Sequence, residues 1–377
     1  MELQWEEEIM KNCIGIINLD ENENRMGELV INRSLASVPI AGRYRIIDFV
    51  LSNMKNSGID CIGIFTKNKS RSLIDHLTNG IPWDLNRKKD GLKVFNFGND
   101  EPVYDDVHNF AENIEFLKSS RKEYVLLSPS YMICNIDYNE VMDFHKSSRK
   151  DITMVYKKVN NAYEAFGDCG VLNFDEEMNV ISIGENIGKN PKANINMEMY
   201  MLKTELFINM VNECISSGMY RKVKEYIHNN LNNLTIGAYE FKGYLDCINS
   251  IKGLYDSNLA FLNKKVSKEI FNEERPIYTK TKDEAPTHYL DKSNVINSII
   301  ANGCKIEGSV ENCIIGRRVY IGKNTKLKDC VIMQNTMIGD GAILDNVIAD
   351  KGSEIKKGET LIGSVMYPLV IKKKKQF

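Results

Sequence analysis

Residues 315–344 read IGRRVYIGKNTKLKDCVIMQNTMIGDGAIL. Ile315, Ile321 and Leu327 recur at six-residue steps, and the step restarts with Ile332, Ile338 and Leu344. The same spacing joins Ile300 to Ile306 upstream and Ile355 to Leu361 downstream. Gly316, Gly322, Gly339 and Gly363 each follow one of these aliphatic residues or its neighbour. A six-residue step fits neither the helical period nor simple strand alternation. It marks a left-handed parallel β-helix, in which each flat side contributes one inward aliphatic residue and glycines are expected at the tight corners. At roughly three hexads per coil the segment predicts about four coils, with ends that must be capped or paired. A row of ordinary sandwich strands is the alternative, and recurrence of the step across several blocks argues against it.

Working outward toward the N-terminus, the hexads give way to a charged stretch, Lys264 to Tyr289, which includes Pro276 and Pro286 and shows neither helical nor strand periodicity. It reads as a linker. Before it, short apolar runs alternate with helical patterns. Ile14 to Leu19, Cys61 to Phe65, Tyr124 to Leu127 and Ile152 to Tyr156 read as buried strands, because their apolar residues are continuous. Ile47 to Ser57, Ser70 to Leu77, Val107 to Ser119 and Asn139 to Lys146 read as helices, with Ser70 as an N-cap. Strand and helix in alternation predict an α/β, doubly wound, mostly parallel sheet whose ligand lies beyond the carboxyl ends of the strands. The expected organisation is therefore an α/β domain over 1–262, a linker over 263–290 and a β-helix over 291–377.

Composition excludes several function classes. The 377 residues carry 49 basic and 51 acidic side chains, a net charge of −2, which favours neither nucleic acid nor an acidic surface. The like-charge run Lys372 to Lys375 reads as a solvated tail. Nine dispersed cysteines without a CxxC pair argue for a reducing compartment. Met1 to Lys11 lacks an apolar signal core, and the chain has no unbroken apolar run of about 18 residues. A cytoplasmic protein without membrane or nucleic-acid partners is expected. His76, His108, His145, His228 and His288 have neither metal-ligand spacing nor a nucleophile arrangement, so no metal is expected.

Arg33 to Gly58, RSLASVPIAGRYRIIDFVLSNMKNSG, joins these elements to a family. With the doubly wound domain and the terminal hexads, it resembles the bacterial glucose-1-phosphate adenylyltransferases (ADP-glucose pyrophosphorylases). Arg43-Tyr44-Arg45-Ile46-Ile47-Asp48-Phe49 and Leu51-Ser52-Asn53 are its most specific part, and Arg275-Pro276-Ile277-Tyr278-Thr279 agrees. Arg33 to Pro39 and Trp83 to Lys88 look like the D-type glycogen-biosynthesis subunit found beside the catalytic subunit. Hexapeptide acyltransferases resemble the tail but use a histidine between coils, and the last histidine here is His288.

The resemblance implies that glucose 1-phosphate attacks the α-phosphorus of ATP with Mg²⁺, a reaction that relies on electrostatic positioning. Three elements supply that positioning in the family, and this chain departs from each. The glycine loop GGxGxRL corresponds to Asp20-Glu21-Asn22-Glu23-Asn24-Arg25-Met26. Asp20, Glu21 and Glu23 stand where backbone N–H groups would close on phosphates, and a like-charge contact near 4 Å costs about 1 kcal/mol in water and about 4 kcal/mol at an effective dielectric of about 20. The loop is expected to be solvated and acidic. The phosphate-neutralising lysine of RxKPxVP corresponds to the pair Leu35-Ala36, with Leu35 a packing residue. The metal-binding aspartate of the AGD-like turn corresponds to Ser130, after Pro129.

On the sugar side Glu185, Tyr200 and Asp246 persist, while the phosphate-binding lysine of EKP is Asn186 and the GTADA motif is replaced by Asp106 to Ala111, DVHNFA. Arg25, Glu185, Tyr200 and Asp246 are thus candidate vestigial substrate contacts. Arg43 and Arg45 are candidate contacts for a phosphorylated effector, against the alternative that they pair with nearby carboxylates. The expectation is a non-catalytic or weakly active regulatory subunit with no cofactor of its own, in a hetero-tetramer with a homologous catalytic subunit that uses Mg²⁺. An active nucleotidyltransferase with a rearranged site and a stand-alone sugar-phosphate or nucleotide sensor are the alternatives.

Overall fold

The computed structural model describes residues 10–67, 69–97 and 105–373. The N-terminal acidic stretch up to residue 9, and Lys374 and Lys375 of the terminal run, lie outside them. The chain forms two compact units. One comprises 10–22, Ile47–Cys247 and Glu273–Tyr278; the other comprises Glu23–Ile46, Ile248–Asn272 and 279–373.

The described residues of the first unit build a nine-stranded sheet from β1 (Cys13–Asn18), β2 (Cys61–Thr66), β3 (Gly91–Asn96), β4 (Tyr124–Ser128), β5 (Ile152–Val159), β6 (Gly170–Phe174), β7 (Val180–Glu185), β8 (Ala193–Lys203) and β9 (Ile236–Glu240). The order runs β7-β6-β8-β4-β1-β2-β3, with β5 on β8 and β9 on β5. Strands β4, β1, β2 and β3 are parallel, in register Ile14 to Val125 and Ile14 to Cys61. The long β8 runs antiparallel to β4 and β5. A bulge interrupts β8 between Asn196 and Met199 and places Glu198 at φ 54°.

Helices α1 (Ile46–Asn56), α2 (Arg71–Leu77), α3 (Asp106–Glu112), α4 (Ile114–Ser120), α5 (Tyr138–Ser148), α6 (Thr204–Ser217) and α7 (Val223–Asn229) cover the sheet. Residues 107–119, expected as one helix, break at Asn113 (φ −106°, ψ 19°), whose side chain bonds back to the Asn109 carbonyl at 2.8 Å. Ser70 precedes α2 but makes no capping bond, whereas Asp105 and Asp137 cap α3 and α5 through their carboxylates. Ile14, Ile16, Val125, Leu127, Phe110 and Phe207 form the heart of one buried apolar face. On the opposite face Gly15 admits Met54, whose sulfur would stand 2.7 Å from any Cβ there.

The second unit contains a parallel β-helix with three five-stranded faces. Ile306, Ile321, Ile338 and Ile355 stack on one face, Val310, Leu327, Leu344 and Leu361 on the next, and Ile300, Ile315, Ile332 and Ala349 on the third. These residues form the solenoid core. Among the described residues each face has five strands, so there are five coils rather than four. The extra one begins at His288–Tyr289, where the aliphatic hexad signal is missing.

The left-handed corners are not taken by the hexad glycines. Asn297, Asn312, Asp329 and Asn346 occupy some of them at φ 43° to 52°, and glycines outside the hexads, Gly303, Gly341, Gly352 and Gly358, occupy others at φ 68° to 78°. Gly316 and Gly339 are needed for a different reason: an added Cβ would meet the backbone of the following coil at 2.6 Å.

Helix α8 (Ile251–Ala260), capped by Ser250, packs on the third face against the strand Val331–Ile332. Tyr255 donates its hydroxyl to the Asp329 carbonyl at 2.7 Å and lies 2.8 Å from Asn346 Oδ1. Within the stretch expected as linker, Lys264–Ile270 forms a short helix α9, capped by the Asn263 side chain. No described helix is long and apolar enough to cross a membrane.

Candidate functional site

Strands β1 and β4 are adjacent and parallel, so the segments leaving their carboxyl ends lie side by side, where a doubly wound sheet places its ligand. Asp20 and Glu21 leave β1; Pro129 and Ser130 leave β4. Both carboxylates are buried, at 9 % and 7 % exposure, which overturns the solvated loop expected for them. Burial is tolerated because each negative charge has a partner. Asp20 is ion-paired with Lys67, just beyond β2, at 2.7 Å and with Lys222, at the N-cap of α7, at 2.6 Å. Glu21 Oε1 accepts the Ser130 backbone N–H at 2.6 Å. Ser130 is fully buried, and its hydroxyl has no hydrogen-bond partner among the described residues.

Two further carboxylates face this space. Asp106 accepts from the Asn18 side chain at 2.8 Å and from the Val223 backbone at 3.0 Å. Burial, reinforced by the charge of Asp20, pushes its carboxyl up to about 7. Glu198, projected by the β8 bulge, pairs with Lys224 at 3.1 Å. Burial works against the Lys224 ammonium, but Glu198 outweighs it and holds the ammonium above its ordinary value. Tyr200 is buried beneath them, with its hydroxyl 3.2 Å from the Asn196 amide and 3.4 Å from His228 Nε2. What remains is a cavity of about 30 Å³ lined by Asn18, Asp20, Glu21, Asp106, Ser128 and Tyr200, among others. That is room for a few waters at most.

Tyr200 therefore joins Asp20, Glu21 and the turn at Ser130, whereas the other sugar-side candidates do not line this cavity. Glu185 is exposed at the end of β7. Its neighbour Asn186 is buried and bonds the Ala162 and Phe166 carbonyls at 2.6 and 2.8 Å, holding a loop together. Asp246 accepts the hydroxyl of Tyr244.

Glu23, Arg25 and Leu35 belong to the second unit. Glu23 Oε1 accepts the Leu35 backbone N–H at 2.6 Å, Leu35 is fully buried, and Arg25 is exposed. The two arginines considered for an effector also lie there, in different surroundings. Arg43 is exposed, with its guanidinium 5.5 Å from the Tyr44 ring centroid. Arg45 belongs to a cationic cluster with Lys282, Arg317, Arg318 and Lys351. Burial, then the neighbouring cations, depresses the ammonium of both Lys282 and Lys351.

The divalent cation implied by the family resemblance does not fit these side chains. Asp20 and Glu21 are committed to lysines and a backbone N–H, and position 130 offers a neutral hydroxyl. Among the described residues no three Asp, Glu, His or Cys side chains are grouped to hold a metal.

Sequence reasoning missed Lys67, Lys222, Lys224 and Lys282. Lys67 was open to discovery, since it stands at the carboxyl end of a predicted strand. The others arrive through long-range folding and carry no local signal.

Comparison with known proteins agrees with this architecture. Residues 24–246 match the nucleotidyl transferase family, and residues 285–365 match the GlmU-like C-terminal hexapeptide family. The chain is similar to the glycogen biosynthesis protein GlgD of Bacillus subtilis, 35 % identical over 363 residues that cover 96 % of this chain and 95 % of the relative. It is 36 % identical to GlgD of Geobacillus stearothermophilus over 82 % of this chain and 81 % of the relative. A glucose-1-phosphate adenylyltransferase of Mycoplasma mobile is 32 % identical over 85 % of this chain and 86 % of the relative. The chain belongs to the glucose-1-phosphate adenylyltransferase family of nucleotidyl transferases.

Proposed function

We propose that this chain is a regulatory subunit of glucose-1-phosphate adenylyltransferase in glycogen biosynthesis, non-catalytic by itself, and that it assembles in the cytoplasm with a homologous catalytic chain. The observation that carries the proposal is the self-filled cleft. Asp20 takes up the cations Lys67 and Lys222, Glu21 takes up the Ser130 N–H, and about 30 Å³ is left where a nucleotide would need several hundred. The anion-binding groups are satisfied by the chain's own carboxylates, so a triphosphate would have to displace them and expose their charge. Similarity to proteins named for glycogen biosynthesis supports the pathway.

A fold maintained around a filled cleft is expected to act through its surfaces. Co-expression with a catalytic adenylyltransferase chain from the same organism tests this. A stable mixed oligomer should form, with kinetics distinct from the catalytic chain alone, and the present chain alone should form no ADP-glucose from ATP, glucose 1-phosphate and Mg²⁺. Product from the isolated chain, or failure of the two chains to co-purify, would falsify the proposal.

The cationic cluster supports a second role within the same function. Arg45, Lys282, Arg317 and Lys351 would receive a phosphorylated effector, because a bound anion would relieve the mutual repulsion of these cations, which with burial depresses both lysines. Lys282→Glu should then abolish effector response in the mixed oligomer without preventing its assembly.

A further inference from the structure

A second opening in the first unit is larger than the cleft. Tyr124, His145, Lys146, Arg149, Lys150 and Lys203 line a cavity of about 390 Å³, closed also by Asp151 and Leu206. Its residues come from separate parts of the fold: the last turn and C-cap of α5, the start of β4, the approach to β5 and the end of β8. Tyr124 and Ser128 are opposite ends of β4, so the cavity is about 13 Å along the strand from the filled cleft. It is a separate place, independent of the function proposed above.

Its charge is one-sided. Four cations face one carboxylate, Asp151, and that carboxylate accepts the Thr235 backbone N–H at 2.8 Å and the Thr235 hydroxyl at 2.6 Å. Lys150 bonds the Asn179 side chain at 3.1 Å, and Lys146 lies 5.7 Å from the Tyr124 ring centroid. Among the described residues no carboxylate comes within ion-pair distance of Lys146, Arg149 or Lys203. Helix C-termini attract cations, which accounts for Lys146 and Arg149. It does not account for Lys203, which ends β8. The buried His145 sits edge-on to Tyr124, ring centres 5.8 Å apart, with Nδ1 fixed 2.9 Å from the Thr153 hydroxyl. Burial, then the charge of Lys203, holds its imidazole below the ordinary histidine value, consistent with a positive potential.

We propose that this cavity binds a small phosphorylated metabolite, its phosphate received by Lys146, Arg149 and Lys203 and its body seated against the Tyr124 ring and Leu206. The volume matches a small-molecule site, and an excess of lysine and arginine around an apolar wall matches a phosphate ester with a compact polar body. A macromolecular polyanion is disfavoured by the chain's balanced charge and by the concave shape.

Titration calorimetry on the full chain at low ionic strength tests this, with inorganic phosphate, glucose 6-phosphate and AMP as probes, alongside NMR of the histidine rings. At least one phosphate ester should bind saturably and more tightly than inorganic phosphate, and the His145 ring should shift toward its protonated form as the ligand neutralises nearby cations. Preference for AMP would assign the Tyr124 wall to a base, and preference for glucose 6-phosphate would assign it to a sugar; both support the site. Arg149→Glu with Lys203→Glu should weaken binding at least tenfold, while the exposed Lys292→Glu, a change of the same charge in the other unit, should leave it unchanged. No binding of any probe at millimolar concentration, or equal loss in Lys292→Glu, overturns the proposal. Tighter binding of inorganic phosphate than of both esters overturns it as well.

Discussion

Glu21 Oε1 lies 2.6 Å from the backbone nitrogen of Ser130, so a carboxylate from the loop after β1 closes the turn after β4. The contact makes position 130 sensitive to charge. Ser130→Asp would place a second carboxylate in a fully buried position beside Glu21 and should cost about 3–5 kcal/mol, as expected for an unpaired buried charge. Ser130→Asp combined with Glu21→Gly should recover part of that loss. Urea unfolding of the two single variants and the double variant gives the coupling directly, and additive effects would show that the two positions do not interact.

Asp106 predicts a pH dependence. Its carboxyl is pushed up to about 7 by burial and by Asp20, against an ordinary value of 3.8. Between those values the folded chain holds a proton that the unfolded chain has shed. Its contribution is therefore fully present below about 4 and is lost as pH rises toward 7, by a few kcal/mol at most. Denaturation midpoints measured from pH 5 to 8 should fall with rising pH more steeply in the parent chain than in Asp106→Asn. Identical slopes would remove the assignment.

The solenoid glycines separate crowding from backbone conformation. Gly339→Ala drives a methyl to 2.6 Å from the Lys357 backbone nitrogen and should destabilise by about 2–4 kcal/mol. Gly341→Ala meets nothing within 4 Å but must hold φ 68°, so about 1 kcal/mol is expected. Thermal melts of the two variants should rank in that order.

All nine cysteines are buried free thiols. Burial raises Cys247 well above the ordinary thiol range, and the Cys169 sulfur, 3.4 Å away, reinforces this. Burial also pushes Cys61 and Cys134 up to about 12. A thiol reagent at pH 8 should therefore react slowly with the native chain and fully after denaturation. Fast labelling of several thiols in the native chain would contradict their burial.

The four predicted strands of the α/β domain and the aliphatic stacks of the β-helix were legible because each depends on local periodicity. The fifth coil was not, since His288–Tyr289 gains its place by pairing with Lys305–Ile306 rather than by an aliphatic hexad. The break at Asn113 was hidden for a similar reason: apolar spacing continues through 107–119 while a side-chain amide takes over a backbone carbonyl. At the site, the sequence marked Asp20, Glu21 and Ser130 as unusual but pictured the carboxylates in solvent. Their burial depends on Lys67 and Lys222, which are distant along the chain and become partners only through the sheet. Position 186 shows a further limit, because Asn186 looks like a lost lysine in sequence and is a structural clasp in the fold.

The double ion pair at Asp20 has a consequence for how such a chain could change over generations. Replacing Asp20 alone leaves Lys67 and Lys222 without their shared counter-charge, replacing either lysine leaves Asp20 short of one, and a carboxylate at 130 meets Glu21. Each single step toward an open cleft is downhill in stability before it could be uphill in ligand binding. The arrangement works as a ratchet: opening this cleft takes several coordinated substitutions rather than one.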